Sequence, residues 1–223
     1  MKHLYDFVFE KLKLSSKSQS KYSYHPKTKE ELQDIIKAHL DEQGNSADLN
    51  DIDVSEITDM KGLFTGKDDP ATGNTIYLLT DVADVKIDTW DVSNVTTMES
   101  MFEGCSNFNG DISKWDVSHV ESFECMFDGC DEFDQDVSNW DVSSGEKFNA
   151  MFAGCHQFTG DVSKWNVSNA TTIRYMFGEC FSFNCNLEKW NVSKVKDFDY
   201  LFSKCNALSK ENRPSWAPWQ AYK

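Results

Sequence analysis

Over most of this chain the apolar positions recur in a frame of 25 residues. Trp90, Trp115, Trp140, Trp165 and Trp190 stand 25 apart. Each is followed by Asp or Asn, Val and Ser, then by Met-Phe or Leu-Phe from the eleventh position. Cys comes at the fifteenth (Cys105, Cys130, Cys155, Cys180, Cys205) and Phe or Leu at the eighteenth. Self-similarity at a fixed period predicts stacked units, each burying its apolar face against the next. A sixth, degenerate unit comes first, with Ile52 in the tryptophan column, Val54, Met60, Leu63 and Phe64. The distance from Ile52 to Trp90 is one period plus thirteen residues. The surplus is placed at about 65–80, where TGKDDPATGNT has the Gly, Pro, Asp and Asn of an exposed loop.

Within a unit the apolar columns fall about three apart. In the second full repeat they are Ile112, Trp115, Val117, Val120, Phe123, Met126, Phe127, Cys130 and Phe133. The segment Ile112 to Val117 fits the L-x-x-L-x-L pattern of leucine-rich repeats, and Lys114 to Ser118 reads as a short strand with Trp115 and Val117 inward. In the first repeat SNVTTMESMFEGC reads as a short helix capped by Ser93 or Asn94, with Val95, Met98, Met101 and Phe102 on one face and a stop near Gly104. The expected fold is therefore α/β. It is a leucine-rich-repeat-type solenoid of about six 25-residue rungs, one short parallel strand and one short helix per rung, with capping elements.

Open ends of such a stack need covers. Residues 28–49 supply the first, a helix with Thr28 and Glu31 as a capping box, Leu32, Ile35, Ile36 and Leu40 as the apolar stripe, and Gly44 at its end. Residues 209–223 supply the second: Pro214 and Pro218 interrupt regular structure, while Trp216 and Trp219 cover the last rung or form an exposed pair for a partner. The solenoid proper is assigned to residues 50–208. Residues 1–27 are read as a basic amphipathic leader followed by a polar tether, with Leu4, Tyr5, Phe7, Val8 and Leu12 as the apolar residues of a docking helix. A helix folded back on the solenoid and a membrane-surface helix are the alternatives for the leader.

Charge sharpens this division. The chain carries −15 overall. Residues 1–30 hold seven lysines against Asp6, Glu10 and Glu30, a local +4, so the remainder carries −19. An acidic body repels phosphate and argues against nucleic-acid binding. No stretch reaches the ~18 apolar residues of a membrane span. Asp6 and Glu10 interrupt what an export signal would need as an apolar core. Seven cysteines, an odd number, without export favour free thiols.

Several columns invite chemistry. The cysteine column lies among Met, Phe and Trp columns, where a thiol acts as a small buried hydrophobe; the sharper alternative is a metal site from Cys125, Cys130, Cys155 and His156. Cys125 and Cys185 stand outside the column and are expected to react more readily with thiol probes. Asp91, Asp116, Asp141, Asn166 and Asn191 form a row that Lys114, Lys164 and Lys189 would offset, with calcium as the sharper alternative. Asp111, Asp136, Asp161 and Asn186 are assigned to turns with Ser113, Ser138 and Ser163. The five histidines recur in no column and form no nucleophile set, so neither a catalytic residue nor a cofactor is expected.

The repeat W-[DN]-V-S-x-V-x-x-M-x-x-M-F-x-G-C-x-x-F resembles the BspA-like leucine-rich-repeat surface-protein family over residues 50–208. That resemblance implies a right-handed solenoid used for adhesion or other protein contacts, in bacterial surface proteins and also in phage-encoded ones. The start MKHLYDFVFEKL is similar to the short amphipathic leaders of proteins attached to tailed-phage heads. The expected partners are thus proteins, including capsid or other virion proteins. The expected function is a non-enzymatic contact module docked by its leader onto a larger assembly such as a virion, cytoplasmic or virion-associated. The alternative is a secreted or surface adhesin. The partner face is sought in the columns that vary between rungs, at four, six, seven, nine and ten residues after the tryptophan. Arg174, Tyr175 and Tyr200 stand in those columns and, together with Phe181, form the candidate cluster.

Overall fold

The computed structural model describes residues 21–65 and 82–223, and the backbone of two short strands between them. The leader residues Leu4, Tyr5, Phe7, Val8 and Leu12 and most of the 65–80 insertion lie outside the described residues. Within the insertion, β1 (Lys67–Asp68) pairs antiparallel with β2 (Thr75–Ile76).

The expected α/β architecture is overturned. Among the described residues α1 (Lys29–Gln43) is the one α-helix, and no continuous parallel sheet forms. The 25-residue units lie one on the next as coils made of turns. Each is closed by repeated bonds from an N–H to the carbonyl three residues back: in the second full repeat Trp115 to Ile112, Val120 to Val117, Met126 to Phe123, Cys130 to Phe127 and Phe133 to Cys130. A turn every three residues buries the same columns that a helix would, which is why the spacing misled. What forbids the helix is backbone chirality. The tenth residue after each tryptophan, Ser100, Cys125, Ala150, Tyr175 and Tyr200, has φ between 51° and 59°. The fourteenth, Gly104, Gly129, Gly154, Glu179 and Lys204, is also left-handed. A right-handed helix cannot pass through either position.

The expected strand is misplaced as well. Trp115 and Val117 are buried and Asp116 exposed, as a strand would have them, but the segment is held by turns within the rung. Bonding between rungs is concentrated where the helix was expected. There, alternate N–H groups reach the next rung: Met98 to Ser122, Ser100 to Glu124, Phe102 to Met126 and Gly104 to Asp128, and likewise along the stack. Isolated parallel bridges join Asp59, Thr97, Ser122, Lys147, Thr172 and Asp197 in succession.

Inside, the columns become stacks of rings. Phe102, Phe127, Phe152 and Phe177 follow one another at 5.6–5.7 Å between centroids. Phe108, Phe133, Phe158 and Phe183 run alongside at 6.0–6.1 Å. Trp90 lies parallel to Trp115, and Trp140 to Trp165, at 6.4 Å. The five tryptophans of the repeat column are only 4% exposed, so each of their indole N–H groups must find a partner inside the protein.

The ends are covered by imitation. The Thr28 hydroxyl accepts the Glu31 N–H and starts α1; Glu31 bonds back to the Lys27 N–H, one residue earlier than in a reciprocal capping box. Leu32, Ile35 and Ile36 are buried, Leu40 partly so, and Gly44 at φ 82° donates to the Leu40 carbonyl. At the other end Trp216 stacks on Trp190 at 6.5 Å, as though it were the next repeat's tryptophan. The carbonyls of Gln220 and Ala221 accept the N–H groups of Tyr200 and Phe202 that would otherwise face an absent rung. Trp219 remains 68% exposed, with Lys223 Nζ 4.2 Å from its ring centroid.

Candidate functional site

Most of the chemistry-bearing columns are occupied by structure. The buried cysteine thiols donate across rungs: Cys130 to Phe102 O at 3.1 Å, Cys155 to Phe127 O at 3.1 Å, Cys180 to Phe152 O at 2.9 Å and Cys205 to Phe177 O at 2.8 Å. Burial pushes Cys130, Cys155 and Cys180 well above the ordinary thiol range, so they are neutral donors. His156 is drawn elsewhere, its ring 4.4 Å from that of Phe181 and nearly parallel, with Nδ1 3.5 Å from Asp131. Among the described residues no group of three or more His, Cys, Asp or Glu side chains is arranged to hold a metal ion.

The row of Asp91, Asp116, Asp141, Asn166 and Asn191 shapes turns. Each side-chain oxygen accepts the N–H two residues on, from Ser93, Ser118, Ser143, Ser168 and Ser193, at 3.0–3.2 Å. Asn serves as well as Asp because only a carbonyl-type oxygen is needed. Asp111, Asp136 and Asp161 make the same turn with Ser113, Ser138 and Ser163 at 2.9–3.0 Å. The serine bonds hold Asp111, Asp116, Asp136 and Asp161 below the usual carboxylate range.

One face is shaped differently. In the first three full repeats the tenth column carries Ser100, Cys125 and Ala150 and the fourteenth carries Gly104, Gly129 and Gly154; in the next two they become Tyr175 and Tyr200, Glu179 and Lys204. Both columns therefore change from small to large at one place, and the surface acquires a step. A concavity of about 630 Å³ lies there, bounded by Cys125 and Ala150 on the small side and Tyr175, Tyr200, Glu179 and Lys204 on the large side.

The structure brings Arg174, Tyr175 and Tyr200 together at this step. The Arg174 guanidinium lies 5.3 Å from the Tyr200 ring centroid and 3.6–3.7 Å from Asp197 and Asp199. Tyr175 donates its hydroxyl to Glu179 at 3.0 Å, and Lys204 donates to the same Glu179 oxygen at 2.7 Å. Burial, then that bond to Glu179, raises the Tyr175 phenol to about 12. The Lys204 ammonium, then Tyr175, lowers Glu179. The Tyr175 ring covers Gly178 so closely that a Cβ there would sit 2.3 Å from it. Phe181, the fourth expected member, lies instead against His156 and is 40% exposed.

Sequence reasoning missed Asn149, Glu179, Lys204 and Asp128. Asn149 accepts from the Arg174 N–H at 3.1 Å and from Thr172, and its Nδ2 donates to Glu124 at 3.3 Å. Asp128 is half-buried; burial, then the charges of Glu103 and Glu179, raise its carboxyl to about 6. The joint change of residue size at the tenth and fourteenth columns was the available signal.

No helix of the described residues is long and apolar enough to cross a membrane. No curated protein and no solved structure matches the chain. One family matches twice, over residues 74–180 and 146–221, and the two spans together take in about two thirds of the chain. The match supports the BspA-like resemblance at the level of a repeat family and begins well beyond the leader, so it carries nothing for the phage-head resemblance. By that match over its repeats, the chain belongs to the family described as Mycoplasma protein of unknown function, DUF285.

Proposed function

We propose that this is a non-catalytic contact module whose stacked repeats present the step around Arg174, Tyr175 and Tyr200 to a protein partner. The carrying observation is that the concavity at this step gathers two tyrosines, 36% exposure at Tyr200 and an arginine over its ring. Tyrosine and arginine are the residues that dominate contact energies when water is excluded around them. The absence of catalysis is part of the reading. Described histidines are engaged by Asp53, by the Ile35 carbonyl and Asp51, by the Ser93 carbonyl and by Asp131, and the thiols of Cys130, Cys155, Cys180 and Cys205 are spent on carbonyls.

The leader residues Leu4, Tyr5, Phe7, Val8 and Leu12 are proposed to dock the module onto a larger assembly, a virion or, alternatively, a bacterial surface. The test places a photo-crosslinking residue at Tyr200 and, as control, at exposed Lys114, in cells that make the full chain. A defined protein adduct at position 200 and not at 114 is expected. Equal or absent adducts would remove the reading. Co-sedimentation with particles and protease shaving of intact cells separate the two settings.

A further inference from the structure

The charges along the step are not balanced. On its large side each cation already has a partner: Lys204 holds Glu179, and Arg174 lies between Asp197, Asp199 and the Tyr200 ring. On the small side stand Glu99, Glu103, Glu124 and Asp128. Lys61 pairs with Glu99. Glu124 has a neutral amide from Asn149. The Asp128 carboxylate takes no hydrogen bond from the described residues, although it is half-buried and repelled by the charges of Glu103 and Glu179. The Asp128 N–H donates to the carbonyl of Cys125, which lines the concavity, so Asp128 stands at the edge of the concavity. Between the two sides the fourteenth column is bare: Gly129 and Gly154 lie with backbone against backbone and no side chain above them.

This arrangement selects by charge. An anionic occupant would meet Glu103, Glu124 and Asp128, and a purely apolar one would strip water from Asp128 and leave it unpaired, which is costly. A cationic side chain would meet unspent carboxylates at one end and tyrosine faces at the other, both favourable to it. Long basic side chains also lay their methylene stems on uncharged surface, and the glycine strip offers that.

We propose that the step binds an extended, arginine- or lysine-bearing segment of a protein partner, its cationic side chain seated against Glu124 and Asp128, its stem over Gly129 and Gly154, with Tyr175 and Tyr200 closing one side. The proposal rests on the contact-module reading and specifies the partner's chemistry at that same site. Affinity then falls in acid as Asp128 gains its proton below about 6; Glu103, Glu124, Glu179, Cys125 and Tyr175 are the titratable groups facing it.

The probe is a fluorescein-labelled decapeptide of alternating glycine and arginine, with glycine–glutamate and glycine–serine decapeptides as controls, titrated against the full chain by anisotropy. The arginine peptide alone is expected to bind. Asp128→Asn with Glu124→Gln should weaken it at least about tenfold, as loss of a desolvated charge partner does. Asp34→Asn with Glu42→Gln, which removes the same charge from α1, should leave it within about twofold. Tyr200→Ala should weaken it while circular dichroism stays unchanged. Lowering the pH from 7.5 to 5 should weaken the wild type more than the Asp128→Asn chain. Equal losses from the two charge-neutralised pairs would mean general attraction to an acidic body and would overturn the proposal. So would tighter probe binding after Lys11→Glu with Lys13→Glu, which would make the chain's own basic arm the occupant. Adducts at position 200 without peptide binding would leave the contact module standing and remove only its basic partner.

Discussion

The indole N–H of Trp115 donates to the carbonyl of Ile87 at 3.1 Å, and that same carbonyl accepts the backbone N–H of Trp90. Every tryptophan of the column does likewise, Trp90 to Leu49, Trp140 to Ile112, Trp165 to Val137 and Trp190 to Val162, at 2.9–3.1 Å. One carbonyl oxygen, with two lone pairs, thus closes a turn in its own rung and anchors the next. Trp140→Phe removes the second bond but leaves the first, and is expected to cost about 1–2 kcal/mol. Trp140→Ala adds a cavity and should cost about 3–5 kcal/mol. Urea unfolding of both variants checks the difference.

The cysteines repeat this device with a weaker donor. In the native protein at pH 8, thiol reagents should label Cys125 and Cys185 only, and slowly. Burial pushes their thiols up to about 12 and about 11, so little thiolate is present. All seven should label after denaturation. Rapid labelling of Cys155 in the folded state would contradict its place in the stack.

Backbone chirality at the fourteenth column separates two otherwise similar positions. Gly154, at φ 69°, meets the Gly129 backbone at 3.4 Å from where a Cβ would stand. Gly154→Ala should cost about 1–2 kcal/mol from left-handed strain alone. Lys204 already sits at φ 58°, so Lys204→Gly relieves strain there at the loss of an exposed ion pair with Glu179. Its net effect should stay within about 1 kcal/mol.

Asp128 should reverse the usual effect of acid. Its folded pKa is raised to about 6, so the group contributes stability below its unfolded value and loses that contribution as pH climbs through 6. Asp128→Asn should therefore stabilise the protein at pH 7.5, by about 1 kcal/mol once solvent screening is allowed for. At pH 4 the advantage should vanish. Chemical denaturation at the two pH values reads it directly.

Asp111, Asp116, Asp136 and Asp161 have the opposite sign. Bonds from the following serines lower their folded pKa, so their stabilisation is present above the unfolded value near 4 and is lost as pH falls through the folded one. Replacing all four with Asn should keep the turns, as Asn166 and Asn191 do, and flatten the loss of stability between pH 4 and 2. A quadruple variant as acid-sensitive as the wild type would sink this.

The sequence alone determined which residues lie inside and how often they recur. A column of Trp, Phe, Met or Cys at a 25-residue period has no arrangement that buries it except unit upon unit. Thr28, the stripe from Leu32 to Ile36 and Gly44 likewise spelled a helix by local rules. The conformation of the rung was decided only in three dimensions. Apolar residues three apart suit a helical face and a chain of three-residue turns equally. What separates them is whether the N–H of Ser100 turns back into its own rung or reaches Glu124 of the next, and that acceptor exists only once the rungs are stacked. The same holds for the step: Arg174, Tyr175 and Tyr200 could be picked out by type, but Glu179 and Lys204, 25 residues apart, became partners because stacking puts successive repeats side by side.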